Sequence, residues 1–397
     1  MSVDEIIETI ISSSLEVVSL DELKNLISLK SNFIIKIGFD PTTSDLHLGH
    51  LVIILKLRKL QELGFRVNII IGDFTAMIGD PSGKNIARPA LSREKIISNY
   101  KNYHSQICKF LLLDLTNVYF NSSWYNFFIF DSFIKLLSFS TVSRMLERND
   151  FKNRFDLNSP IFINEFVYPL LQAYDSVFLD VDLEIGGIDQ KFNFLIGREV
   201  QKKFFQKNQV CLMMPLLLGI DGKNKMSKSL HNCINLNDDA YDIFCKVMSI
   251  PDFLIKDYLI YLNILELKEY DSFVLSFDNP MKLKSFLAHR IVCLIHDEHS
   301  AEVSKNKFLD IFSKKIFPVD INVTNLNFNF SPVYLYDVLL MLLVVSSKSD
   351  FKRALSCKSI EINDEIIVDK LYIFNFDVVY CLKFGKKQFF KIFLKKI

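Results

Sequence analysis

Apolar positions in the first 220 residues fall into two alternating patterns. Short continuous apolar runs predict buried strands: "FIIKIGF" (33–39), "VNIIIGD" (67–73), "NVYFN" (117–121), "VFLDVDLEIGG" (177–187) and "VCLMMPLL" (210–217). Between them lie stretches with apolar residues at helical spacing. The clearest is "HLGHLVIILKLRKLQELG" (47–64), with Gly64 as its stop. Alternation of this kind predicts a parallel sheet flanked by helices, a Rossmann-like, doubly wound α/β domain over 1–220 with a helical insertion near 123–175. From about residue 235 the period is helical, as in "DDAYDIFCKVMS" and "MKLKSFLAHRIVCLIHDE", which predicts an all-α domain over 233–325. The Pro- and Asn-containing stretch "FPVDINVTNLNFNFSP" (317–332) reads as a linker, with the join placed at 326–333. Two helical and two strand patterns follow, with a turn at Gly385–Lys386, predicting a small α+β domain over 334–397.

Three Gly- and Asp-bearing stretches fall at the carboxyl ends of predicted strands: "GFDPTT", "GDFTAMIGDPSGK" and "IGGIDQ". Ligands bind there in parallel α/β sheets. "GFDPTTSDLHLGH" (38–50) also puts two histidines and a glycine at the first turn of a helix. A charged His gains nothing at the positive end of a helix dipole, so neutral imidazoles beside free N–H groups suit a site that receives an anion. "DGKNKMSKSLHN" (221–232) adds Lys223, Lys225 and Lys228 on a Gly/Ser-bearing mobile loop. Lysines there act as compact charges able to close over phosphates held at the first helix.

Composition narrows the class. Half the residues are hydrophobic, yet "VLLMLLVV" (338–345), the longest apolar run near the C-terminus, is far short of the roughly 20 residues of a membrane span. "MSVDEIIETI" is acidic and lacks a basic-then-apolar signal pattern. The seven cysteines show no CxxC spacing and read as small core residues of a reduced, cytoplasmic protein. Net charge is +1, but residues 348–397 hold eleven Lys/Arg against six Asp/Glu, which on charge alone fits either a polyanion partner for the last domain or a solvated basic face.

With these residues in view, "HLGH" resembles the HIGH signature, and "KMSKS" is the KMSKS signature, of class I aminoacyl-tRNA synthetases, in the family's order and about 180 residues apart. "GFDPTTSDLHLGH", "IGDPSGK", "YPLLQAYD" and "GGIDQ" together resemble the bacterial tyrosyl-tRNA synthetases over essentially the whole chain. The resemblance implies a tyrosine-tRNA ligase that uses ATP, with Mg²⁺ carried on its phosphates, that charges the tyrosine tRNA and that forms a homodimer. It implies that Thr42, His47, His50, Lys225 and Lys228 act on the phosphates, and that Asp40, Gly49, Gly187, Asp189, Met226 and Ser227 line the nucleotide. Asp80, Tyr168 and Gln172 would bind the ammonium, Asp175 would accept the phenolic O–H, and Gln190 with Asp40 would line the reacting carboxylate. Tyr168, Gln172 and Asp175 are spaced i, i+4, i+7, so one helix face presents all three. It also implies an anticodon-reading helical domain and an alpha-L type RNA-binding module, with Lys348, Lys352, Arg353, Lys383, Lys386 and Lys387 as candidate RNA contacts.

Lys36 and Lys191 stand where many relatives have Tyr and Trp; both resemble a second bacterial subtype, and Lys36 becomes a candidate for the phenol end. Ile188 replaces a usual hydroxyl residue. A tryptophanyl enzyme would share the fold, but Asp175 and the terminal module favour tyrosine. A small-molecule nucleotidyltransferase would not need the last domains. A non-catalytic RNA-binding (splicing) descendant would not need intact His47, His50, Lys225 and Lys228.

Overall fold

Five parallel strands carry the predicted apolar runs in the computed structural model of the chain: β2 (Ile35–Phe39), β3 (Val67–Ile71), β4 (Thr116–Phe120), β5 (Leu183–Gly187) and β6 (Val210–Met214). A short strand the sequence does not announce, β1 (Glu16–Val18), joins antiparallel to β6, giving the order β1-β6-β5-β2-β3-β4. β3, β5 and β6 are buried along their whole length, which is why they read as unbroken apolar runs. The chain runs outward from β2 through β3 to β4, then returns to β5 on the other side of β2. Strand order therefore reverses between β2 and β5, and a crevice opens at their carboxyl ends.

The structure describes residues 2–29, 33–79, 91–313, 323–363, 365–385 and 388–396. Helices α1 (Val3–Ile11) and α2 (Leu20–Leu29) precede β2. α3 (Leu48–Glu62) follows β2, and α4 (Arg93–Ile107), capped by Ser92, follows β3. Between β4 and β5 lie α5 (Ser122–Tyr125), α6 (Phe130–Leu137), α7 (Val142–Met145), α8 (Asn149–Asp156) and α9 (Ile163–Phe178), as the helical insertion predicts; α10 (Lys191–Lys203) packs on α9. The strand expected over 177–187 starts only at Leu183, because Val177 and Phe178 complete α9. A short apolar run does not distinguish a helix end from a strand. On α3, Lys56 is buried and donates to the carbonyls of Thr9 (2.7 Å) and Ser12 (2.6 Å), which end α1. Burial, with the nearby charge of Lys59, pushes its ammonium down to about 7.

The chain divides into two compact units, Met1–Asp297 and Glu298–Ile397. Helices α11 (Ala240–Ser249, capped by Asp239), α12 (Ile255–Tyr261), α13 (Tyr270–Leu275) and α14 (Pro280–Ile295, capped by Asn279 with Pro280 at its first turn) belong to the first unit. The helices expected over 233–325 thus begin within the first unit, which also holds the sheet.

The second unit contains α15 (Glu298–Phe308), β7 (Val323–Phe328), β8 (Val333–Tyr334), α16 (Leu335–Met341), α17 (Lys348–Ser356), β9 (Ile360–Ile362), β10 (Glu365–Ile366), β11 (Ile373–Phe374), β12 (Val379–Phe384) and β13 (Gln388–Lys396). Five strands pair in the order β10-β9-β12-β13-β7, and β8 pairs with β11. The linker expected at 326–333 is thus structured: its first residues end β7, which runs parallel to β13. Its Asn-rich sequence conceals the period of two, in which Leu326 and Phe328 face the core. β12 and β13 form the expected hairpin, with Phe384 opposite Gln388 and Gly385 at φ +63°.

Candidate active site

The crevice between β2 and β5 holds a cavity of about 450 Å³. Around it stand Lys36, Asp40, Thr42, His47, Gly49, His50, Tyr168, Gln172, Asp175, Gly187, Asp189, Gln190, Lys225, Met226, Ser227 and Lys228. These include every catalytic, nucleotide and amino-acid residue expected from the sequence except Asp80, which lies outside the described residues together with Lys84 and Arg88.

The two histidines begin α3. The His47 backbone N–H donates to His50 Nδ1 at 3.2 Å, and their rings lie 4.0 Å apart. His47 Nδ1 is buried with no hydrogen-bond partner, the kind of orphaned group that a ligand satisfies. Burial, reinforced by the charge of His50 and Lys228, pushes His47 down to about 2. Burial and Lys228 push His50 down to about 4. Both are neutral at pH 7, as the helix-start argument requires. A Cβ at Gly49 would lie 3.0 Å from the His47 ring, so the glycine makes room for that imidazole as well as for a ligand.

Both signature lysines rest on carboxylates. Lys225 Nζ lies 2.8 Å from Asp189, and Lys228 Nζ lies 2.9 Å from Asp45. Asp45 also accepts from Ser44 and Asn237; burial pushes its carboxyl up, but these donors and Lys228 hold it below the ordinary range. The loop is tied at its base by Asn232, whose Oδ1 accepts from the Ser227 N–H (2.8 Å) and whose amide donates to Asp221 (3.2 Å). Backbone bonds from Leu48 N–H to Ile234 O and from Leu236 N–H to Leu46 O join the segment after the loop to the start of α3. The two signatures are therefore built as one structure.

At the other end, Asp40 accepts from Thr75 (2.9 Å) and Tyr168 (2.8 Å). A Cβ at Gly72 would lie 1.9 Å from Asp40 Oδ1, so only glycine leaves that carboxylate its place. Asp175 is buried and accepts from Trp124 Nε1 (2.9 Å), the Tyr125 hydroxyl (2.7 Å) and Asn121 Nδ2 (3.3 Å). Burial outweighs the charge of Lys36 and these donors and pushes Asp175 up to about 6. Three donors leave one of its roughly four lone-pair positions for a ligand hydroxyl.

Lys36 is already partnered within the protein. It lines the cavity, but its ammonium donates to Glu184 (2.9 Å), Ser176 Oγ (2.7 Å) and the Gln172 carbonyl (3.0 Å). All three hydrogens are spent on protein, so Lys36 has none for a ligand phenol. Lys191, the other departure, pairs with Glu16 at 2.6 Å. Sequence reasoning missed Asp45, Thr75, Asn121, Trp124, Tyr125, Glu184 and Asn193. Trp124, the chain's single tryptophan, carried the best signal among them.

In the second unit, Lys348, Lys352 and Arg353 are exposed on α17, whose other face buries Phe351, Ala354 and Leu355. Lys383 is largely covered and paired with Glu361 at 3.0 Å. Lys386 and Lys387 lie outside the described residues.

Residues 28–313 match the family model described as tRNA synthetases class I (W and Y). The chain is 41% identical to a tyrosine–tRNA ligase of Aquifex aeolicus over 99% of both chains. It is 43% identical to that of Nitrosomonas europaea over 91% of this chain and 89% of the other. A tyrosyl-tRNA synthetase of Archaeoglobus fulgidus, solved with L-tyrosine, shares the fold at a TM-score of 0.62 and 24% identity, covering 77% of this chain and all of the other. The chain belongs to the class I tRNA synthetases, and within them to the tyrosine–tRNA ligases.

Proposed function

We propose that this chain activates tyrosine with ATP to tyrosyl-adenylate and pyrophosphate, and then transfers tyrosyl to the 3′ end of the tyrosine tRNA. The observation that carries the residue roles is that His47, His50, Lys225 and Lys228 surround the same cavity as Asp175, a nearly saturated acceptor suited to a phenol. The tyrosine carboxylate is already ionised near neutral pH, so the first step needs no general base. It attacks the α-phosphorus, and catalysis rests on alignment and on charge stabilisation as pyrophosphate leaves. Lys225 and Lys228 exchange Asp189 and Asp45 for phosphate oxygens. That exchange frees Asp189 to accept from a ribose hydroxyl, while neutral His47 and His50, with Thr42, donate to the phosphates. A Mg²⁺ ion held by the ATP phosphates would supply further positive charge there, beside Lys225 and Lys228. Among the described residues no cluster of three or more His, Cys, Asp or Glu could cage a metal.

Pyrophosphate exchange run with each of the twenty amino acids tests the reading. Tyrosine alone is expected to support exchange, and a response to tryptophan, or to none, would overturn it. The exposed cations of α17 suit RNA phosphates. A truncation that removes them must cut before Val323, because β7 pairs with β13. Such a truncation is expected to keep exchange and lose tRNA charging, with a salt dependence in the full chain that reflects the phosphate contacts. Equal loss of both activities would point to a folding role for the unit.

The catalytic body also exposes several large apolar side chains in its helical insertion. Phe127 (84% exposed), Phe130 and Ile134 fall within the 99–140 stretch, and Ile163 (83%) lies at the start of α9. These residues fit a homodimer interface through the insertion. Light scattering at micromolar concentration is expected to give twice 46.2 kDa, and a stable monomer would end this assignment. Seven free cysteines suit a reducing cytoplasm, and no described helix is long and apolar enough to cross a membrane.

A further inference from the structure

Two of the most deeply buried charges in the first unit form a pair with no assigned part in the reaction. Lys36 on β2 and Glu184 on β5 are register partners on adjacent parallel strands, with side chains 1% and 2% exposed. Every hydrogen-bonding position of the pair is used. Lys36 donates to Glu184, Ser176 and Gln172 O. Glu184 accepts in addition from Gln172 Nε2 (3.2 Å), Ser176 Oγ (3.2 Å) and Gln209 Nε2. The Gln172 amide is thereby fixed from both sides, since its Oε1 accepts from Asn193 Nδ2 at 2.9 Å; the same Asn193 amide reaches Gln190 at 3.2 Å.

All the contacts to α9 fall on Gln172 and Ser176, which flank Asp175 on that helix. A buried ion pair brings little net stability over a well-packed apolar pair, so its presence calls for a reason other than stability. We propose that the Lys36–Glu184 pair is the positioning element of tyrosine recognition, tethering α9 to the sheet so that Gln172 and Asp175 meet the substrate. Glu184 lies outside the cavity lining and the Lys36 ammonium is spent on protein, so both act through α9. The inference rests on the tyrosine-ligase reading and on Asp175 as the phenol acceptor.

The pair also has a charge signature that a merely mechanical tether lacks. Among the described residues, the ionisable groups facing Asp175 are Lys36 from β2 and Tyr125 from α5, with Glu184 of β5 behind Lys36 and Tyr174 next to Asp175 on α9. Lys36→Met removes a positive charge near Asp175, and Glu184→Gln removes a negative one. Each single variant leaves one buried charge unpaired, so both should melt at lower temperature.

The acid limb of kcat/KM for tyrosine in pyrophosphate exchange should nevertheless move in opposite directions. It is expected to rise by about one pH unit in Lys36→Met and to fall in Glu184→Gln. The double variant K36M/E184Q should recover the melting temperature. It should still show a KM for tyrosine raised by about 10-fold, with KM for ATP and kcat within about two-fold of wild type, as expected when ground-state placement of one substrate is lost. A double variant with wild-type KM for tyrosine, or acid limbs that shift the same way in both single variants, overturns the proposal while leaving the tyrosine-ligase reading intact. If the single variants fail to fold, the KM of the double variant decides alone. A wild-type protein without tyrosine-dependent exchange would overturn the reading and the proposal together.

Discussion

Replacement of Lys228 by alanine is expected to slow tyrosyl-adenylate formation by about 10²- to 10³-fold, the cost of removing one preorganised charge from a developing anion. In the resting enzyme Lys228 sits on Asp45, at the start of the segment that leads into His47, so a short exchange of partners delivers it to phosphates bound there. Its partner carboxylate keeps Ser44 and Asn237 as donors, and the pair is partly exposed, so the substitution should cost at most ~1 kcal/mol of stability. An interaction made chiefly in the transition state lowers kcat and leaves KM for tyrosine within about two-fold. Pre-steady-state adenylate formation measures this directly, and an unchanged rate would remove Lys228 from the reaction.

The second large effect concerns Asp175. Asp175→Asn is expected to lower kcat/KM for tyrosine by about 100-fold, in the range of a hydrogen bond to a charged group, about 1.5–3 kcal/mol. Phenylalanine, which offers no hydroxyl, should be activated almost as slowly by the variant as by the wild type, so discrimination between the two collapses. Exchange assays with both amino acids decide it. In the wild type, kcat/KM for tyrosine should also fall as pH drops through about 6, where Asp175 takes up a proton and ceases to be a free acceptor. Protonation does not threaten the fold. A carboxyl raised from 3.8 to about 6 favours the folded state at low pH and costs stability as pH rises through that window. The histidines, at about 2 and about 4, contribute no limb above pH 5. A limb near 7 would assign a titrating role to another group.

The sequence by itself determined the elements whose signal is local. β3, β5 and β6 are buried on both faces, so they must be continuous apolar runs. The start of α3 needs a glycine and small neutral donors, and "HLGH" states both. Tyr168, Gln172 and Asp175 share a helix face at any packing, because 3.6 residues per turn places them there. The same locality explains the misreadings. β1 is three residues long and β7 alternates Asn with apolar residues, so each becomes a strand only through its neighbour, β6 or β13. The run 177–181 begins inside α9, which nothing in its own composition ends at a set residue.

What only the tertiary structure decided is pairing across the sheet. A lysine in the middle of "FIIKI" looks like a ligand-facing charge until Glu184, some 150 residues later, is found opposite it in register. The resting partners of Lys225 and Lys228, and the three donors that nearly saturate Asp175, are likewise remote in sequence. Burial raises the cost of every unpaired charge or donor, and where each one finds its partner depends on which strands the fold makes adjacent. The chemistry of the site, neutral histidines included, was written in residue types and local spacing, whereas the raised Asp175 and the occupied Lys36 came from the packing.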